Sequence, residues 1–209
     1  MRSQGKLFWT AVIAVTGLAL GAAAAQESQK LPEAMKPAAP TAGKAGEHAM
    51  PPAPKPGPEQ AILKRDEGIW DARVEMHMGS PGAPPEVTTG VETNTLVGGL
   101  WLVSDFKGTM GEQPFHGHGT FGYDTSKKKY VGIWVDSMST TLAHSEGNYD
   151  AATSTLTMMG EGVGEDGKPM RFREVVKWTD PNNKVFTMYM PGPDGREVPG
   201  MTITYKRKS

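Results

Sequence analysis

His116 and His118 stand two residues apart in the run Phe115–Tyr123. On a strand that spacing puts both imidazoles on one face, as two ligands of a metal ion would be. His144 supplies a third nitrogen from a later strand, and His77 is a further candidate. The chain has no cysteine, so such a centre is limited to nitrogen and oxygen donors, which suits zinc. Gly117 and Gly119 flank His118, which marks a bulged or flexible edge, and no acid stands at motif spacing. Copper is admitted by a second pattern, the Met-x-Met segments Met76-His77-Met78 and Met188-Tyr189-Met190. Alternation turns both pairs toward a dry face, however, where methionine is ordinary filling.

Glu174 shares a strand face with Phe172 and Val176. An acid turned inward there requires a partner, such as Arg73, Arg171, Arg173 or a ligand amine. A slip of one residue in strand phase would leave it solvated instead. Asp136 lies between Trp134 and Met138 and is expected near the rim of the fold. Glu161, Glu165 and Asp166 crowd one Gly-rich hairpin, and Lys127–Lys129 and Lys206–Lys208 are short basic runs of the kind that solvate turns and ends. Gly117–Gly122 matches Gly-x-Gly-x-x-Gly but lies within a strand, where a dinucleotide fingerprint does not form. No Gly-x-Ser-x-Gly elbow occurs.

The elements that must position these residues follow from the period of the apolar side chains. Glu59–Arg65, after Pro58 and before Gly68, favours one short helix. From Trp70 the period becomes two: Trp70, Ala72, Val74, Met76 and Met78 alternate with Asp71, Arg73, Glu75 and His77. Nine further runs follow, at 87–97, 100–107, 115–123, 130–136, 140–149, 153–159, 170–178, 184–190 and 197–206, separated by turn formers such as Gly98-Gly99 and Asp194-Gly195. About ten short strands without intervening helices predict an all-β antiparallel meander. Closing into a single up-and-down barrel removes its two edges most simply, with a two-sheet sandwich as the competing geometry.

The chain has 209 residues and a net charge of −1. Arg2 and Lys6 followed by the apolar Leu7–Leu20 and Ala22–Ala25 read as a signal peptide over residues 1–25, cleaved before Gln26. The expected location is therefore periplasmic or secreted, with no transmembrane segment after cleavage. Residues 26–58 hold eight prolines and seven alanines, too little apolar material to fold, and read as a disordered linker. The remaining domain, 59–209, carries 20 acids against 16 bases, a balance of −4 that disfavours nucleic acid and other polyanions.

Gly68-Ile69-Trp70 resembles the Gly-x-Trp opening of lipocalin-type barrels. Gly99-Leu100-Trp101, Gly122-Tyr123-Asp124, Tyr130–Met138 and Glu146–Asp150 resemble the bacterial DUF1579 family over about Gln60 to Lys208. The resemblance implies a lipocalin-like or nitrobindin-like barrel and no particular activity. Nitrobindin-like barrels hold haem through an imidazole near the C-terminal strands, whereas residues 149–209 here contain no histidine.

These readings converge on an exported barrel that binds a small apolar molecule without catalysis and without a resident cofactor. Its expected lining is Trp70, Met76, Trp101, Trp134, Asp136, Phe172, Glu174 and Trp178. The alternatives are a metal protein built on His116, His118 and His144, and an envelope module with a solid core. Strand alternation does not decide whether the interior is hollow, and the oligomeric state is left open.

Overall fold

The computed structural model describes residues 51–209 apart from 78–81, 165–166 and 193. The segments read as signal peptide and most of the expected linker, with Met78, Glu165 and Asp166, lie outside the described residues. One short helix, α1 (Gln60–Lys64), precedes ten strands: β1 (Gly68–Met76), β2 (Glu86–Val97), β3 (Trp101–Met110), β4 (Gln113–Asp124), β5 (Lys129–Asp136), β6 (Ala143–Asp150), β7 (Thr155–Val163), β8 (Pro169–Asp180), β9 (Asn183–Pro191) and β10 (Glu197–Arg207). Each strand pairs antiparallel with its chain neighbours, and β1 pairs with β10 to close the barrel. The sandwich alternative is thereby excluded.

Period-two patterning fixes which side chains face the axis. On β1, Trp70, Ala72 and Val74 are buried and Asp71 and Arg73 are not. The β1–β2 register sets Trp70 opposite Glu92 and Ala72 opposite Gly90, so Glu92 and Asn94 also point inward. A slip of one residue would exchange every inward for an outward side chain, which is why the apolar phase pins the register. Turn chemistry agrees with it. Gly98 and Gly99 both take positive φ, 62° and 71°, at the centre of the turn Val97–Leu100 between β2 and β3, where side-chain-bearing residues are disfavoured.

The two ends of the barrel differ. At one end α1 packs against β3 and β4, and Leu63 joins Leu102, Tyr130, Leu156, Met158 and Trp178 in a buried cluster. Full burial of one such aliphatic side chain contributes about 2 kcal/mol. Hydrogen bonds fasten the helix in place. The Tyr130 hydroxyl donates to the Glu59 carbonyl at 2.9 Å, Arg65 donates to the Tyr149 hydroxyl at 3.1 Å, and Arg207 donates to the carbonyls of Glu67 and Arg65, each at 2.6 Å. The last two satisfy the carbonyls of the helix C-cap, Arg65, and of Glu67 in the connection to β1.

The other end, the open half, carries no helix among the described residues. A second buried cluster, Trp70, Ala72, Val74, Phe106, Ile203 and Tyr205, runs along the β1, β3 and β10 wall from the α1 end toward it, and Phe186 and Trp134 pack against it. Met170, Glu174, Phe186, Met188 and Met190 take the inward phase of β8 and β9 and are only half-buried. Barrel diameter grows roughly linearly with strand number, so ten strands give a lumen about a quarter wider than eight.

Candidate functional site

Glycine on the inner wall shapes the open half. Gly117 and Gly119 on β4 lie beneath the Trp134 ring, which a Cβ at either position would strike. Gly160 does the same for Phe172, and Gly90 for Phe106. Each aromatic ring thus lies against bare backbone on the next strand. Phe106 and Phe172 are buried and Trp134 packs against the Phe106 cluster, so the rings form an apolar inner wall. Trp134 is further held by its indole N–H, which donates to Asp136 at 3.1 Å. The other oxygen of Asp136 accepts from the Met138 amide at 2.9 Å, so this carboxylate ties the ring to the turn after β5.

Glu174 is the polar exception on this wall. It lies opposite Met158 on β7 and Met188 on β9, between Phe172 and Val176 on its own strand. Burial pushes its carboxyl above the ordinary glutamate range, and a hydrogen bond from the buried Ser145 hydroxyl only partly counters this. The arginines expected to pair with it face outward and are engaged elsewhere: Arg73 with Glu75 at 2.6 Å, Arg171 with Glu161 at 3.0 Å, and Arg173 with Glu197 at 2.7 Å. Among the described residues no ion pair involves Glu174.

The expected lining is distributed over three places. Met76, Trp134, Asp136, Phe172 and Glu174 belong to the open half. Trp70 and Trp178 face inward but form part of the closed end: Trp70 is 0% exposed and donates to the Asp66 carbonyl at 2.9 Å, and Trp178 donates to the Asp66 carboxylate at 2.7 Å. Trp101 faces away from the lumen. Leu102, Ser104 and Phe106 take the inward phase of β3, leaving Trp101 40% exposed on the outer face, where its ring covers Gly122.

The histidines are likewise on the outside. His116 contacts Asp105 at 2.9 Å, and His118 lies 4.0 Å from the same carboxylate. The hydrogen bond from His116 holds the Asp105 carboxyl below its ordinary range. His144 is not brought to them. It sits on β6 opposite Ile133, which in turn lies opposite Thr120, and its carboxylate neighbour is Glu161 at 3.9 Å. Among the described residues no group of three or more His, Asp or Glu side chains is placed to hold a metal ion.

One buried cluster escapes the motif-based reading. Lys184 on β9 is 4% exposed and contacts Asp66 and Glu92, each at 3.1 Å, at the closed end. Glu92 also accepts from Asn94 at 2.8 Å and from the Tyr205 hydroxyl at 2.8 Å. The Lys184 ammonium lies over the rings of Trp70 and Tyr205, at 4.8 and 4.5 Å from their centroids. Burial alone would raise the Glu92 carboxyl, but the attraction of Lys184 and three hydrogen bonds override it and hold the group low. Burial would likewise depress Lys184, and the two carboxylates reverse that shift. The signal in the sequence is phase alone: Lys184 alternates in step with Phe186 and Met188, and Glu92 with Asn94 and Leu96.

The crystal structure of Rv2717c from M. tuberculosis is similar in fold, with a TM-score of 0.56 and 12% identity over 73% of this chain and 99% of that one. A redesigned β barrel (14% identity, TM-score 0.37, 72% of this chain and 96% of that one) and a de novo designed fluorescence-activating β barrel (15%, 0.38, 70% and 97%) are more distant. No curated protein matches the sequence. Residues 55–207 match the model of DUF1579, described as a protein of unknown function, and the chain belongs to that family.

Proposed function

We propose that the chain is a non-catalytic binding protein that takes one small, largely apolar molecule into the open half of its barrel. The observation that carries this reading is the half-burial of Met170, Phe186, Met188 and Met190, side chains that face the axis of a closed barrel. Unbranched thioethers adapt to irregular shapes, and the flat-lying Trp134 and Phe172 rings suit a planar body. The closed end, sealed by α1, makes the site a cup rather than a channel. The described histidines, His77, His116, His118 and His144, are all exposed, which gives the lumen no imidazole for acid–base work near neutral pH. The basic, apolar and small-residue succession of residues 1–25 supports action in the periplasm or outside the cell.

Native mass spectrometry of tag-free protein from its own envelope tests both parts. The expected species begins at Gln26 and carries a non-covalent mass of a few hundred daltons, lost in Trp134→Ala. A bare polypeptide that also shows no thermal shift with any hydrophobic probe overturns the binding reading. An intact N-terminus at Met1 overturns export by cleavage.

A further inference from the structure

The charges of the lumen are unevenly compensated. At the closed end Lys184 is matched by Asp66 and Glu92. In the open half three carboxylates, Glu86, Asp136 and Glu174, lie on the inward phase of their strands, Glu86 exposed at the rim, and the strand Lys and Arg residues at that level (Arg73, Lys107, Arg171, Arg173) occupy the outward phase. Glu174 receives one hydrogen bond, from Ser145, where an ionised carboxylate accepts several.

We infer that the ligand of this lumen is an amphiphilic amine, whose ammonium group pairs with Glu174 while its apolar body lies against Trp134, Phe172 and the methionines. This rests on the binding reading above and gives it a ligand class. An ammonium group supplies up to three donors to a carboxylate that has one, and it brings the positive charge that the open half lacks. The aromatic walls favour the same charge, because a desolvated cation is attracted to ring faces. A carboxylate ligand would instead place like charges together in a medium that screens them poorly. When the ammonium ion enters against a protonated Glu174, the carboxyl releases its proton to solvent and the pair remains as ammonium and carboxylate.

Binding of an amine is then pH-dependent with a definite sign. Affinity rises as pH passes up through the Glu174 titration, because the carboxylate is the binding form. The groups facing Glu174 from the packed strands do not titrate in that range: Met158 and Gly160 on β7, Met188 on β9, and Ser145 and Gly147 on β6. Tyr149 on β6 and Lys184 on β9 lie toward the closed end, engaged with Trp178 and with Asp66 and Glu92. Asp136 on β5 and Glu86 at the start of β2 are the other inward-phase acids of the open half.

The test is isothermal titration calorimetry of the mature chain with three matched probes: 2-naphthylmethylamine, 2-naphthylmethanol and 2-naphthoate. The amine is expected to bind at least about tenfold more tightly than the other two, the scale of one charge-assisted hydrogen bond. Its affinity should rise as pH passes up through and above the ordinary glutamate range while that of the alcohol stays level. Glu174→Gln should remove both the preference for the amine and the pH dependence of its binding. Equal binding of all three probes overturns the amine inference and leaves the lumen reading standing, as does a preference that survives in Glu174→Gln. Failure of every probe to bind overturns both. The pH series on the unaltered protein decides the matter if the variant does not fold.

Discussion

Replacing Lys184 by methionine keeps the length of the side chain and removes its charge. Two carboxylates then remain at the closed end without their cation, each formerly 3.1 Å from the ammonium. At that separation and an effective dielectric of about 20, each contact supplies roughly 5 kcal/mol of attraction before desolvation is counted. Desolvation offsets most of this in the intact network, which is why the network as a whole adds little net stability. Breaking it is another matter, because the acids stay buried while the compensation is gone. The expected loss for Lys184→Met is about 3–5 kcal/mol, a large part of the stability of a domain this size.

The sign of the pH dependence separates this account from a simple packing defect. In the intact protein the native Glu92 pKa is depressed, so the unfolded chain binds more protons over the acid range and stability rises with pH there. Without Lys184 the burial term is left uncompensated, native Glu92 holds its proton more tightly than the unfolded chain does, and stability falls as pH rises through that range. The difference between the two proteins should therefore shrink as pH falls below the ordinary glutamate range and grow toward neutral pH. Urea unfolding followed by tryptophan fluorescence at several pH values measures it. A loss below about 1 kcal/mol at neutral pH, or a loss independent of pH, would refute the reasoning. The triple variant Lys184→Met, Glu92→Gln, Asp66→Asn should recover much of the loss, since it removes the stranded charges as well.

Gly117→Val places a side chain where the Trp134 ring now lies. It should cost about 1–3 kcal/mol in thermal or urea unfolding and, by pushing the ring into the lumen, abolish binding of naphthyl probes. Glu174→Gln should become more stable relative to the native protein as pH rises above the ordinary glutamate pKa, because burial raises the native value and the native protein loses stability through that interval. A difference in Tm that does not change with pH contradicts this. Arg207→Ala removes two hydrogen bonds to the carbonyls after α1 and a guanidinium 4.1 Å from the Trp70 ring centroid. The expected loss is about 1–3 kcal/mol, with hydrogen-exchange protection falling first over residues 60–66.

Much of the architecture is legible in the sequence because strand period and turn chemistry are local. The run from Trp70 to Met76 alternates cleanly, Gly98-Gly99 can hardly be anything but a tight turn, and closure follows from having edges to hide. Side-chain destinations are less local. Trp101 has the same composition signal as Trp134, yet one residue of phase on β3 sends it outside, against Gly122. Trp70 and Trp178 are inward as expected, but which end of the cylinder they occupy depends on α1 and on Asp66, a residue in a short connection with no periodic signal at all. The His116–His118 spacing correctly places both on one face. That His144 lies two strands away from them is decided by the β4–β5–β6 registers, which spacing does not encode.

The glycines carry the most informative lesson about the site. Gly117-His118-Gly119 invites readings as a phosphate loop or as a metal edge, since glycine and histidine are both associated with chemistry. In the barrel the glycines do the consequential work by what they lack, and the histidines face solvent. At Gly90, Gly117, Gly119 and Gly160 a Cβ would strike the Phe106, Trp134 or Phe172 ring, so bare backbone there lets large rings lie close against the inner wall. Glu174 lies on that wall with a hydrogen bond from Ser145 and no ion pair among the described residues, while Lys184 and Glu92 pair with each other and with Asp66, Asn94 and Tyr205. Burial raises the Glu174 carboxyl because no cation stands beside it, whereas Lys184 holds Glu92 low. The paired cluster fixes the register of β2, β9 and β10 around Asp66 more than it adds net stability.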